Sequence, residues 1–426
     1  MVKTTKSYKQ YLKAKRLIPL ASQTFSRSHL FFDPKKQPLF NDKGKNQYIF
    51  DLDNNKYLDL INGLGSVSIG YSIKEINNKI INQLKKGITF SLSSNLETIL
   101  AEELKKIIPS CEMVKFGKNG TDVNSAAIRL ARYITKREHI AVCGYHGWQD
   151  WYIVSTTMDG GIPKKLKNYT DYFKFNDINS LKKLFKKKNY AAVIIEPVSV
   201  DEPKNNFLQE VKDLCNQNET LLIFDEICSG FRVNIGGAQK LYNVKPDMST
   251  FGKGIANGMP LSVLVGKKRI MKNLSKIFYS GTFYGETLSI SSAISTIRFM
   301  KRNNSIKKNI MKGKKLKKEL DNLIKKFELQ NFIELSGHPS WLFIKTISNN
   351  SKINENIKDY IKQELINNKI LFIGSFNINH STSSKDLEKM TKIFVKIFSK
   401  IKDNINRLGK LIVIERPKIR FSVRNK

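Results

Sequence analysis

Two carboxylates and a lysine, each at the edge of an apolar run, are the residues of this sequence best placed for chemistry. In LLIFDEI the apolar residues stop at Asp225 and Glu226, the pattern of a core strand that carries acids out at its C-terminal end. Downstream, DMSTF leads to Lys253, which stands between Gly252 and Gly254. An amine held there has little room to swing into water, and desolvation lowers the pKa of an amine toward reactivity. A lysine so placed, with an acid at a strand end, suits Schiff-base chemistry.

Three further stretches supply what such a lysine would need. FGKNGTDVNSAAIRLAR sets the turn Lys118-Asn119-Gly120-Thr121 directly before an amphipathic helix, where backbone amides, the helix dipole and the Thr121 hydroxyl would receive an anion. Alone this is ordinary, since capped helices commonly follow glycine turns. GYHGWQDWY gathers Tyr145, His146, Trp148 and Trp151 after a strand; such a cluster is usually core, but here it could present Tyr145 as a lid for a planar ring. AAVIIEP delivers Glu196 at another strand end. A single aspartate such as Asp225 is most often a cap or an ion-pair partner. The set shifts that balance, because a phosphate turn, an aromatic face, an acid and a glycine-boxed lysine arrive in that order on successive strand ends. Pyridoxal 5'-phosphate requires those four groups: amides for its phosphate, a stacking face for its ring, a carboxylate for its pyridine nitrogen and a lysine for its aldehyde.

The elements that must position these residues are legible as an α/β pattern. From Met113, strand candidates MVKFG, HIAVC, AAVIIEP, LLIFDEI, DMSTFG and LSVLVG alternate with helices over 122–136, 178–188 and 207–218. Continuous apolar strands joined by helices predict a mostly parallel sheet covered on both faces, with ligands at the C-terminal strand ends. Ahead of it lie a short helix over 6–17, a loop IPLASQTFSRSH, a β-hairpin in YIFDLDNNKYLDL, a glycine-punctuated loop, and two amphipathic helices in IKEINNKIINQLKK and NLETILAEELKKII. Beyond Asn331, strands in IELSGHPSWLFIKTI and ILFIGSFNINH with helices near 355–368 and 383–403 predict a smaller α+β domain. The expected division is an N-terminal segment over 1–65, a large domain over 66–300, a small domain over 301–408 and a tail over 409–426 without an assigned role.

Composition excludes several classes. A chain of 426 residues with 40% hydrophobic and 10% aromatic residues is long enough for two domains and not disordered by composition. Its formal charge of +37 invites a nucleic-acid reading, but the lysines are spread along the whole chain at helix-face spacing, as in SLKKLFKKKNY and MKGKKLKKEL, without an arginine-aromatic platform. The expectation is therefore no nucleic-acid partner. No apolar run approaches the roughly 20 residues that span a bilayer. The four cysteines, Cys111, Cys143, Cys215 and Cys228, form no CxxC pair, which argues for a reducing, cytoplasmic location and against a structural metal. The acid-poor start, MVKTTKSYKQYLKAKRLIPL, reads as the first helix of the fold in preference to a transit peptide.

The motifs NGTDVNSAAIRLAR, GYHGWQDW, AAVIIEPV, LLIFDEICSGFR, TFGKGIANGMPLSVLVG and SGTFYGETLS together resemble class III pyridoxal-phosphate aminotransferases of fold type I, and within them the glutamate-1-semialdehyde aminomutases and their relatives. The resemblance runs from about Ser7 to about Ser399. It implies that Lys253 holds the cofactor as a Schiff base and moves the proton between substrate and cofactor, and that Asp225 keeps the pyridine nitrogen protonated. It also implies that Gly120 and Thr121 bind the phosphate, that Tyr145 lies over the ring and that Glu196 supports the lysine side. Thr282, in SGTFYGET, would contact the phosphate of the neighbouring subunit, which implies a homodimer. IPLASQTFSR lines up with the stretch that holds the substrate carboxylate, placing Thr24 and Arg27 there, with Thr24 where serine is expected.

Three departures bear on the substrate. YHGW stands for YHGH; Asp201, in EPVSVDEP, stands nearest the place of an expected asparagine; and SFNINHSTSS, with Asn377 and His380, replaces a glutamate-bearing loop. A carboxylate in place of an amide beside the substrate disfavours an acidic partner there. The expected activity is an aminotransferase that moves an amino group from a small-molecule donor to a keto or aldehyde acceptor. The alternatives are a glutamate-1-semialdehyde aminomutase and, from another class, an inactive basic binding protein.

Overall fold

The computed structural model describes residues 4–414. The described chain divides into two units, one of residues 74–306 and the other of residues 4–73 together with 307–414. Residues 415–426, most of the tail noted above, lie outside the described residues.

The second of these units opens with the helix Thr5–Leu17, followed by strands β1 (Asn41–Lys45), β2 (Tyr48–Asp51) and β3 (Lys56–Asp59). The β2–β3 hairpin is closed by Asp51, whose Oδ1 accepts from the amides of Asp53 (2.9 Å) and Asn55 (2.8 Å), the side-chain turn that aspartate favours. Strand β1, NDKGK, has no apolar alternation and is mostly exposed, so nothing in its residues marks it as a strand; it forms by pairing with β2.

The unit of residues 74–306 carries a seven-stranded sheet: β4 (Met113–Gly117), β5 (His139–Cys143), β6 (Thr170–Tyr172), β7 (Tyr190–Ile195), β8 (Leu221–Glu226), β9 (Met248–Phe251) and β10 (Ser262–Gly266), in the order β4-β10-β9-β8-β7-β5-β6. Strands β5 to β9 pair in parallel, and β10 runs antiparallel to both β9 and β4. The C-terminal ends of β4, β5, β7, β8 and β9 therefore share one edge. Continuous apolar runs follow from burial on both faces. One face packs Ile140, Val142, Ile194 and Ile223 on the helix Gly120–Thr135 through Val123, Ala126, Ala127 and Leu130. The opposite face packs Ala141, Val193, Leu222 and Phe224 on Leu181 and on Phe207, Leu208 and Val211 of the helix Phe207–Gln217. The helix Thr287–Arg302 buries Ser289, Ser292 and Ser295 along with Ile290 and Ile294, so no simple apolar stripe announces it; Ser292 Oγ donates to Ala256 O (2.8 Å), backing the turn after β9.

The chain then returns to the first-described unit through the helix Ser305–Lys326, and adds β11 (Ile333–Ser336), β12 (Trp341–Thr346), the helix Ser351–Asn367, β13 (Ile370–Leu371), β14 (Ser375–Asn377) and the helix Ser384–Asn404. Strand β13 pairs in parallel with β3, while β11, β12 and β14 make an antiparallel sheet. Leu316, Leu320, Leu342, Phe376, Met390, Phe394 and Phe398 form the core beneath them.

Candidate active site

Strand alternation decides which acid does what. Successive side chains point to opposite faces of a sheet, so Ile223 and Asp225 face the helix Gly120–Thr135, whereas Leu222, Phe224 and Glu226 face the other way. Asp225, 2% exposed, accepts at Oδ2 from Asn124 Nδ2 (2.8 Å) and His146 Nδ1 (2.8 Å), and at Oδ1 from the amide of Ile227 (3.1 Å). Glu226, fully buried, accepts from Ser229 Oγ (2.7 Å), from the amides of Ala238 (2.7 Å) and Gln239 (3.0 Å), and from Gln239 Nε2 (3.4 Å). It anchors the loop after β8, while burial pushes its carboxyl up. The two neighbouring acids thus have different partners, one facing the helix start and one holding a loop.

Lys253 follows the end of β9 with φ 43°, in the left-handed region that costs a non-glycine residue about 1–3 kcal/mol and persists where the surroundings impose it. Its Nζ lies 2.6 Å from Cys228 Sγ. Burial alone pushes the ammonium down, but the Cys228 sulfur and Glu196 more than offset this and hold it above its ordinary value. Burial raises the Cys228 thiol. Among the described residues Asp225 and Lys253 form no ion pair, as expected if they serve different ends of one ligand.

The loop after β5 folds over the start of the helix Gly120–Thr135. Gly144 (φ +112°) and Gly147 (φ +109°) permit this: a Cβ at Gly144 would come 2.6 Å from Glu196 Oε2, and one at Gly147 would come 2.5 Å from Thr121 Oγ1. Glu196 Oε2 accepts from the Tyr145 amide (2.9 Å), and burial, with Asp225 beside it, pushes the Glu196 carboxyl up to about 7. The Tyr145 ring is 49% exposed and stands edge-on to Tyr152 at 5.7 Å. At the helix start, Asp122 Oδ2 takes the amides of Lys118 (3.1 Å) and Asn119 (2.8 Å), leaving those of Gly120 and Thr121, which a first turn cannot satisfy internally. Thr121 Oγ1 is buried and has no partner.

Gly120, Thr121, Tyr145, Glu196, Asp225 and Lys253 therefore all come from the one strand-end edge. Asp201 lies in the loop after β7, where its carbonyl accepts from the Ser199 amide (3.2 Å). Thr282 is exposed, between Gly281 and the exposed Phe283. Thr24, Arg27 and Asn377 belong to the other unit. The Thr24 hydroxyl there is buried without a partner and Arg27 is exposed, whereas Asn377 Nδ2 donates to Leu60 O (2.9 Å) and is committed to the fold.

Sequence reasoning missed three contributors. Cys228 has no motif that would bring it to Lys253. Asn124 reads as one more helix residue. Ile227 packs its side chain about 3 Å from where a Cβ would stand on both Gly120 and Gly252, making an apolar floor between the Gly120 turn and the Lys253 turn; the glycines flanking those turns are its one available signal.

This donor set fits pyridoxal 5'-phosphate. An unpartnered buried hydroxyl and first-turn amides suit a phosphate, a buried carboxylate fixed by hydrogen bonds suits a pyridinium, and a lysine at the third corner suits an aldehyde. The family model described as Aminotransferase class-III matches residues 31–338. A 3-aminobutyryl-CoA aminotransferase of Cloacimonas acidaminovorans is 40% identical over 333 residues, covering 76% of this chain and 80% of that protein. A glutamate-1-semialdehyde 2,1-aminomutase of Wigglesworthia glossinidia brevipalpis is 36% identical, covering 71% and 74%. Among solved structures, an omega-transaminase from Sphaerobacter thermophilus superposes with a TM-score of 0.85 at 22% identity, over 92% of this chain and 97% of that one, which shows the shared fold. Site, sequence relatives and fold agree: the chain belongs to the class III aminotransferases, pyridoxal-phosphate-dependent enzymes of fold type I.

Proposed function

We propose that the protein is a transaminase, taking an amino group from one small molecule and giving it to a separate keto or aldehyde acceptor. The observation that carries the cofactor assignment is the grouping of Thr121, Asp225 and Lys253 on one strand-end edge, with Asp225 held by Asn124, His146 and the Ile227 amide. The 40% identity to a protein named an aminotransferase, against 36% to one named an aminomutase, favours separate donor and acceptor.

Pyridoxal 5'-phosphate supplies, when bound, an aldehyde that receives amines and a ring that stores electrons. The residues of this chain then divide the work. Gly120 and Thr121 would hold the phosphate through amides and hydroxyl, Tyr145 and Ile227 would supply aromatic and apolar contact to the ring, and Asp225 would keep a proton on the ring nitrogen. Lys253 Nζ would be the amine that holds the aldehyde and would serve as the base and acid that moves a proton at the substrate carbon. Glu196, in contact with the Tyr145 amide, supports the lysine side of the ring. On its own unit, Asp201 in the loop after β7 is the substrate-side residue; Thr24 and Arg27 lie on the other unit, with Arg27 a cation suited to a substrate carboxylate, and Asn377, its amide held by Leu60 O, is withdrawn from that role.

The proposal includes a homodimer in which Thr282 reaches the neighbouring subunit's cofactor phosphate. Exposed Phe278 and Phe283 stand near Thr282 in sequence, and Ile81, Leu84, Ile88, Phe90 and Leu92 are exposed on the same unit, apolar side chains that a subunit interface would cover. A cytoplasmic location is supported by four cysteines that form no disulfide; no helix among the described residues is long and apolar enough to cross a membrane.

Incubation with glutamate-1-semialdehyde decides between the two reactions. Formation of 5-aminolevulinate without an added amino donor identifies an aminomutase and refutes the transaminase proposal; dependence on a separate donor and acceptor supports it.

A further inference from the structure

We infer that Asn124 is a positioning residue that fixes the Asp225 carboxylate for a cationic ring nitrogen, acting through Asp225 without touching the ligand. The inference rests on the proposed role of Asp225. Asn124 is 2% exposed on the inner face of the helix Gly120–Thr135. Its Nδ2 donates to Asp225 Oδ2 (2.8 Å) and to His146 O (3.2 Å), and its Oδ1 accepts from Thr250 Oγ1 (2.7 Å). Two pure acceptors on one side of the amide fix which end is nitrogen. Thr250 is the register partner of Asp225 on β9, so the amide ties together the helix, the loop after β5 and two adjacent strands at the carboxylate.

The arrangement also sets which lone pair stays available. A carboxylate offers about four acceptor positions. On Oδ2 two are taken, by Asn124 and His146, and on Oδ1 one is taken by the Ile227 amide. The remaining position on Oδ1 is approached by the Thr250 hydroxyl at 3.5 Å, a weak contact because that hydroxyl donates to Asn124 Oδ1 at 2.7 Å. Without the Asn124 amide, the Asp225 side chain loses one of the two donors on Oδ2 and is freer to rotate away from the ring nitrogen.

Asn124→Asp and Asn124→Ala test this, with binding of pyridoxal 5'-phosphate measured by absorbance titration at about pH 6 and about pH 9, and urea denaturation as the check on folding. Alanine removes a charge-assisted hydrogen bond and should weaken binding about tenfold to a hundredfold at both pH values. Aspartate behaves differently, because two carboxylates in contact cannot both ionise and one stays protonated well above its ordinary range. The introduced carboxyl, while protonated, donates one O–H to Asp225 and accepts from Thr250, replacing the amide; raising the pH removes that proton. Asn124→Asp should therefore bind nearly as wild type at the lower pH and about tenfold or more weaker at the higher. The other titratable groups facing Asp225, namely His146, Glu196, Tyr145, Tyr152 and Cys228, are common to every variant, so comparison with wild type at each pH cancels them. Wild-type binding by both variants at both pH values overturns the inference, as does an aspartate variant weakened equally at both. Asp225→Asn separates the two levels: if it also binds as wild type, the role of Asp225 itself fails, whereas a weakened Asp225→Asn beside unaffected Asn124 variants removes the inference alone.

Discussion

Glu196→Gln isolates a single buried proton. In the wild type the Glu196 carboxyl stands at about 7, against an ordinary 4.5, because it is buried beside Asp225. Its proton is therefore bound more tightly in the folded chain than in the unfolded one, and the stability it confers is complete below about pH 4.5 and is lost as pH rises toward about 7. A displacement of that size converts to about 3 kcal/mol at most. Glutamine has no proton to lose, and its amide oxygen can still accept from the Tyr145 amide, so the variant should lack this slope. Urea denaturation of both proteins across this range, with all other titrating groups shared, should show wild type losing about 2–3 kcal/mol relative to Glu196→Gln between the acidic and neutral ends. Parallel stability curves, or a wild type that gains relative to the variant as pH rises, would refute the account of Glu196 as a carboxyl kept protonated by its surroundings.

Other residues give equally direct outcomes. Thr121→Val exchanges a buried hydroxyl without a partner for a methyl, so urea unfolding of the free protein should come no earlier than in wild type, while the dissociation constant for pyridoxal 5'-phosphate rises about tenfold or more with the lost phosphate contact. Glu226→Gln should destabilise by about 2 kcal/mol, seen as a lower denaturation midpoint, because both carboxylate oxygens face backbone N–H donors and an amide nitrogen would oppose one of them; an unchanged midpoint would contradict the anchoring role.

How much of this was legible in the sequence follows from the range of the interactions. Asp225, Lys253, Gly120 and Thr121 announce themselves because a strand end, a glycine-boxed lysine and a turn before a helix are local patterns. The parallel strands are legible for the same reason: continuous apolar runs such as YAAVII have a local signature. Strands β1 and β6 do not, the first being polar and the second only three residues long, and they exist because a neighbour offers an edge. The contacts around the acid are long-range in the same sense. Asn124, His146 and Thr250 reach Asp225 from a helix, a loop and a neighbouring strand, and no spacing rule connects them. Cys228 lies near Asp225 in sequence, yet its approach to Lys253 depends on how the Glu226-anchored loop turns. The substrate side is least legible, since Asn377, read as a substrate residue, spends its amide on Leu60.

The central claim is that Lys253 is the residue that holds the cofactor covalently. Borohydride reduction of the holoenzyme followed by peptide mass mapping tests it most directly. The account predicts loss of the visible absorbance and a stable pyridoxyl-phosphate adduct on Lys253, absent from Lys253→Ala. An adduct on another lysine, or no adduct on a protein saturated with the cofactor, would contradict it.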